Sequence, residues 1–259
     1  MQIWMGTALV LIGGVVGAGA EGFTETFDKI DDQVWHVAEY DFDHPMFDTD
    51  WRKAQVVTGP GGLTLAVAPH DGLNRFVGGS IRREDPTHYG RYEAVLQAAR
   101  GEGLVTGFFT YTGPHYGTRH DEIDIEILGR DTTRLHIAWF TDGVLHSHFV
   151  PLGFDAAEAP RRYAFDWQPD RITWFVEGRV VFTVTAAEAP LPQVPSRLFA
   201  NLWAADATDP GMRAWSGRPA PETTGQAHVL EIQHIPAPAP GQLVQNIPLP
   251  TALHPGAIR

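Results

Sequence analysis

The chain has 259 residues and a formal net charge of −12 at pH 7, room for one large all-β domain or two small ones, and a charge that nucleic acid and anionic membrane surfaces repel. It contains no cysteine, which excludes a disulfide framework, a thiolate metal site and a thiol nucleophile. A neutral ligand is easier to accommodate than an anionic one.

The first 20 residues, MQIWMGTALVLIGGVVGAGA, carry no charged side chain and close on Ala18-Gly19-Ala20, the small-x-small pattern that signal peptidase accepts. Residues 1–20 are therefore expected to be a secretory leader, and the mature protein to be secreted or periplasmic. An uncleaved anchor helix is the competing reading; five glycines make the segment a poor membrane helix.

Strand signals then recur through residues 21–235, with no heptad and no long amphipathic helix. GGLTLAVAP (61–69) and YGRYEAVLQAA (89–99) alternate as half-buried strands do. LHIAWFTDGVLHSHFV (135–150) and RITWFVEGRVVFTV (171–184) are predicted hairpins turning at Asp142-Gly143 and Glu177-Gly178. Many short strands with Gly and Pro turns predict an antiparallel sandwich or barrel. Residues 236–259 hold six prolines and few large apolar side chains, the composition of an extended tail outside the core.

The stretch HDEIDIEILG (120–129) places Glu122, Asp124 and Glu126 at every second position, with Ile123, Ile125 and Ile127 in the alternate ones. On a strand the isoleucines face the core and the carboxylates share the opposite face. Three readings are open: a solvated face, although like charges along a strand repel; a calcium or magnesium site, although such ligands come more often from turning loops; or glycoside cleavage. The last needs a carboxylate nucleophile and a carboxylic acid, in a retaining enzyme about 5 to 5.5 Å apart. Backbone positions i and i+4 lie roughly 13 Å apart, so the outer glutamates must lean together over an inward-bending strand. Asp124 between them would hold a shared proton or hydrogen bond and help push their pKa values apart. With 8 Trp, 6 Tyr and 14 Phe the chain is also well supplied with rings that stack on the apolar faces of sugars.

In YGRYEAVLQAA, FFTYTGP, DEIDIEILGRDTT, LGFDA, YAFDWQPDRITWFVEGR and ANLW, the chain resembles glycoside hydrolase family 16, in particular bacterial lichenases (endo-β-1,3-1,4-glucanases) and related exopolysaccharide endoglycanases. The resemblance implies a concanavalin-like β-jelly-roll sandwich of two antiparallel curved sheets. It implies Glu122 as nucleophile, Asp124 as assisting carboxylate and Glu126 as general acid/base of a retaining O-glycosyl hydrolase. Carried over position by position, it places Arg82, Phe109, Tyr111, Asn201, Trp203 and Trp215 against the sugar chain, Trp203 as a stacking platform. The sequence departs from lichenases where His120 replaces a tryptophan, Ser80 a glutamate, and His136, Ala138 and Phe140 a glutamine, an asparagine and a tyrosine. Losing an amide and a phenol beside the cleaved bond removes hydroxyl contacts and bears on which glucan is accepted.

No cofactor or metal is required by this reading. A structural calcium recurs in the family and is possible here, although HVLEIQHI (228–235) lacks the aspartate expected there. His146 and His148 alternate on one strand face with no third ligand at the spacing zinc needs. The expected partner is a polysaccharide, with no nucleic acid, no membrane after leader cleavage, and a monomeric chain. Two other functions stay open: a transglycosylase on the same scaffold, and a non-catalytic carbohydrate-binding sandwich.

Overall fold

A computed structural model describes residues 21–238. The leader and all but the first three residues of the Pro-rich tail lie outside them. In chain order the elements are β1 (Phe23–Glu25), β2 (Trp35–Val37), β3 (Thr49–Trp51), β4 (Val56–Gly59), β5 (Gly62–Pro69), β6 (Phe76–Arg83), β7 (Gly90–Gln97), β8 (Leu104–Thr112), β9 (Asp121–Leu128), β10 (Arg134–Thr141), β11 (Val144–Pro151), β12 (Arg161–Trp167), β13 (Arg171–Val176), β14 (Arg179–Thr185), β15 (Arg197–Ala204), helix α1 (Pro210–Ser216) and β16 (Gly225–Pro236).

Both predicted hairpins form, β10–β11 and β13–β14. At their turns Asp142 and Gly143 have φ of 51° and 79°, and Glu177 and Gly178 have 50° and 74°. Two successive positive φ values give a turn whose twist matches that of the strands it joins. The helix escapes periodicity because it is only seven residues long, yet its local signals are present. Asp209 caps it by accepting from Met212 N, Pro210 opens it, and Gly217 follows it at φ 86°.

The strands pair in the order β11-β10-β9-β8-β15-β6-β5-β16-β7-β12-β13-β14, with β2 and β3 on β6, β4 on β5 and β1 on β16. Every pairing is antiparallel except β3 with β6. The result is two curved layers, as expected, joined along one side. Residues 76–78 of β6 pair with β5, and residues 79–82 pair with β15. Gly78 and Gly79 mark the crossing: a Cβ there would lie 2.6 Å from the Leu202 carbonyl oxygen or 2.4 Å from that of Gln55. Only glycine permits so close an approach.

Between the layers lies the main core. Ile123, Ile125 and Ile127 project into it from β9 and meet the buried rings of Phe108, Phe165 and Trp174 among others. Burying an apolar side chain of this size contributes about 1.5–3 kcal/mol. Trp174 also spans the core: its indole Nε1 donates to the Asp124 carbonyl oxygen at 3.1 Å, tying the two layers together behind the acidic strand. Asp121, fully buried, anchors the start of β9, accepting from the backbone N–H of Asp142, Gln193 and Val194 at 3.1, 2.7 and 3.2 Å.

At the end of the domain β16 runs through Pro236, and Ala237 N donates to Tyr89 O at 3.0 Å. Pairing thus continues two residues into the segment read from composition as tail. His234 on β16 is 1% exposed and stacks on Tyr92 at 4.4 Å. Burial, and secondarily the charge of Arg83, pulls its pKa down to about 4. The unfolded chain binds a proton at this histidine below about 6.5 while the folded chain does not. Stability is therefore fully present above pH 6.5 and is lost as pH falls toward 4, by about 3 kcal/mol from this group. Urea unfolding at pH 7 and 4.5 is expected to show the loss, and His234→Leu to remove most of it. Equal pH dependence in the two proteins would refute the assignment.

Candidate active site

The pairing registers place side chains in rows across the layer that carries β9. Glu122 lies opposite Phe140 on β10 and Tyr111 on β8; Asp124 opposite Ala138 and Phe109; Glu126 opposite His136 and Gly107. The rows continue onto β15 as Arg197, Phe199 and Asn201, and onto β6 as Arg82 beside Phe199 and Ser80 beside Asn201. Alternation sends all of these to the face away from the core, because the intervening isoleucines occupy the core. Tyr116, with His120, borders the face at one end of the strands, and Trp215 of α1 borders it at the other. A groove therefore crosses the strands between them, with the carboxylates on its floor.

Each outer glutamate is partly open to solvent and each holds a histidine. His120 Nε2 lies 2.5 Å from Glu122 Oε2, and the two side chains are 29% and 16% exposed. His136 Nδ1 lies 2.9 Å from Glu126 Oε2, at 8% and 18%. Rings hold both imidazoles in place. His120 stacks on Phe140 at 4.5 Å and meets Tyr111 edge-on, while His136 lies between Phe149 at 4.7 Å and Trp215 at 5.4 Å.

Asp124 is 5% exposed and its Oδ2 has no hydrogen-bond partner. Burial first, then the charges of Glu122 and Glu126, push its pKa well above the ordinary carboxylate range. Burial raises Glu122 too, opposed chiefly by the His120 hydrogen bond and charge and then by its interaction with Asp124. The central member of the trio is thus driven toward its neutral form, between two acids that face the groove. The Tyr111 hydroxyl stays protonated, its pKa raised by burial and by Glu122.

The residues expected at the site divide into three groups. Phe109, Tyr111, His120, His136, Phe140, Asn201 and Trp215 are brought together around the carboxylates. Arg82 lies at the far end of the rows, where its Nε is buried without a partner and its Nη2 is 3.4 Å from Glu84. Trp203 requires a correction: it is 2% exposed, and Phe47 stacks on it at 4.1 Å. Its ring belongs to a second apolar cluster with Trp51, Val105 and Leu128 on the same sheet face, at the Trp215 end of the groove, so it is no open platform. Asn201 is also recessed, at 4% exposure with Oδ1 unpartnered, and occupies the space that a side chain at Gly107 would take, 2.5 Å from the would-be Cβ.

Other residues of this surface were missed. Phe199 stacks face to face on Phe109 at 5.0 Å, and Arg197 packs over Tyr116 at 4.1 Å. Both share a strand face with Asn201, so alternation along RLFANLWA contains the signal. Tyr116 comes from a single 3-10 turn (Pro114–Tyr116) and Trp174 from the opposite layer, where no local pattern points to the site. Among the described residues no group of three or more His, Asp or Glu converges as metal ligands do. On β16 the carboxylate at hand is Glu231, 3.5 Å from Arg162, which does not fit a calcium cage.

Comparison with known proteins agrees with this architecture. The family model described as glycosyl hydrolases family 16 matches residues 43–224. A beta-glucanase of Bacillus amyloliquefaciens is 39% identical over 197 residues, 75% of this chain and 81% of that protein. Among solved structures, a prokaryotic beta-1,3-1,4-glucanase (lichenase) from a mouse hindgut metagenome superposes with a TM-score of 0.79 at 32% identity, covering 83% of this chain and 99% of that one. The Crh5 transglycosylase superposes at 0.70 and 25% identity, covering 86% and 87%.

Proposed function

The chain belongs to glycosyl hydrolases family 16, and from this premise and the geometry of its acidic strand we propose that it is a retaining endo-β-glucanase, cutting internal linkages of a β-glucan or glucan-containing exopolysaccharide. The observation that carries the reading is the trio itself. Two groove-facing glutamates flank a buried aspartate whose pKa is pushed well up, on one strand, each glutamate with its own histidine.

In the first step Glu122, ionised, attacks the anomeric carbon from one face of the sugar ring. The glycosidic bond breaks, and Glu126 gives its proton to the departing oxygen. Glu126, now a carboxylate, then removes a proton from water, which attacks the glycosyl–Glu122 ester from the opposite side and restores the starting configuration. Asp124 supports the first step by its hydrogen bond to Glu122, which favours the ionised form of the nucleophile. His120 supports it by lying against the Glu122 oxygen, where its hydrogen bond and charge pull the Glu122 pKa down against the effect of burial. The open face of the groove suits a polymer entering along its length. Secretion would follow from the leader, and among the described residues no helix is long and apolar enough to cross a membrane.

Reducing-end release from barley β-glucan, lichenan and laminarin tests the activity, and NMR of the first-formed anomer tests retention. Release of the inverted anomer, or of no ends from any polymer, would reject the proposal. Transglycosylation is a second reading, supported by the likeness to the Crh5 transglycosylase. In it a sugar hydroxyl takes the place of water, and products longer than the starting oligosaccharide would appear.

His120→Gln checks the role given to the histidine. Removing a donor that can carry charge is expected to raise the Glu122 pKa. The acidic limb of the kcat/KM profile should then move to higher pH by about one unit. A superimposable profile would dispose of that role.

A further inference from the structure

We propose that the groove extends beyond the carboxylates onto the edge strand β11, where Phe149 forms a further sugar-stacking subsite for the same glycan chain. The inference rests on the reading of the groove as a β-glucan site.

Phe149 pairs with His136, which pairs with Glu126, so the three share one row across the sheet. Two strand spacings put the Phe149 backbone about 10 Å from that of Glu126, within reach of a sugar beyond the bond being cut. Phe149 is 39% exposed. The guanidinium of Arg134 lies over the ring, 4.2 Å from its centroid, and the His136 ring packs against it, tilted, at 4.7 Å. A phenyl ring held by two neighbours and still part-exposed is a rigid apolar surface.

The wall beside it is also built. Trp215 meets the far side of His136 edge-on at 5.4 Å. Helix α1, which carries Trp215, is held by Arg130, whose Nη1 donates to the Ala214 carbonyl oxygen at 2.8 Å. Leu145 and Ser147 share the Phe149 face of β11, the serine adding an exposed hydroxyl. An apolar ring with a neighbouring hydroxyl matches a pyranose, which presents C–H bonds on its face and hydroxyls at its rim. The occupant follows from continuity, because a glycan lying across Glu122 and Glu126 must leave the sheet over β10 and β11 on that flank.

The test compares wild type, Phe149→Ala and Phe149→Tyr on barley β-glucan. It also compares polymer binding by Glu122→Gln with and without Phe149→Ala, measured by affinity electrophoresis in gels containing barley β-glucan. Phe149→Ala is expected to raise KM about fivefold or more with kcat within about twofold, and Phe149→Tyr to stay near wild type. Retardation of the Glu122→Gln protein should weaken by a similar factor when Phe149 is removed. Unchanged KM and unchanged retardation would overturn the subsite, as would absence of any retardation by Glu122→Gln. If wild type releases no ends while retardation is present and depends on Phe149, the hydrolase reading falls and the subsite stands.

Discussion

Glu122→Gln is expected to lower kcat on barley β-glucan by about 10⁴-fold or more, the scale on which loss of a nucleophile registers in hydrolases. Glutamine keeps the size of the side chain and its place opposite Tyr111 and Phe140, so the fold should be untouched. What is lost is the negative oxygen that forms the bond to the anomeric carbon. Glu126→Gln removes proton transfer and is expected to cost about 10²- to 10⁴-fold. The penalty should shrink on an aryl glycoside whose leaving group needs little protonation. Added azide separates the two roles by stereochemistry. With Glu122→Ala it would enter from the vacated face and give the inverted azide; with Glu126→Ala it would attack the glycosyl ester and give the retained one. Activity of Glu122→Gln within tenfold of wild type would end the assignment of this strand as catalytic.

The second large effect concerns the residue that holds the acidic strand from behind. Trp174 is fully buried, packs near Trp139 and Phe182 at centroid distances of 5.8 Å, and donates to the Asp124 carbonyl oxygen. Trp174→Ala leaves a cavity between the layers and an unpaired carbonyl, and is expected to destabilise the domain by about 3–5 kcal/mol. Trp174→Phe refills most of the volume but removes the N–H, at a cost of about 1–3 kcal/mol. Its effect on kcat should exceed that on KM, because the backbone it releases carries Asp124 between the two glutamates. Urea unfolding and steady-state kinetics read both quantities. A loss below about 1 kcal/mol in Trp174→Ala would show that the layers are held together elsewhere.

The acidic strand and its neighbours were legible for a simple reason. A period of two assigns every side chain of β9 to one face or the other, so the isoleucine–carboxylate alternation already states that three acids share a surface turned from the core. The two hairpins were legible because Asp-Gly and Glu-Gly supply the positive φ values their turns demand. Trp203 shows the limit. It alternates correctly with Asn201 and Phe199, but Phe47, more than 150 positions earlier in the chain, stacks on its ring and closes it off. Phe149 shows the converse: an aromatic residue on a predicted strand is ordinarily core, and only its place on the free edge of the pairing order leaves it exposed.

The amino-acid sequence by itself determined which residues could alternate, turn and carry charge, because those properties reside in neighbouring side chains and the backbone between them. Tertiary structure alone decided which ring covers which, that Asp124 is sealed enough for its pKa to rise well above the usual carboxylate range, and that histidines from the residue before β9 and from β10 meet the two glutamates. Exposure and pKa are set by whatever packs across a gap, and the partners that fill those gaps come from strands far apart along the chain.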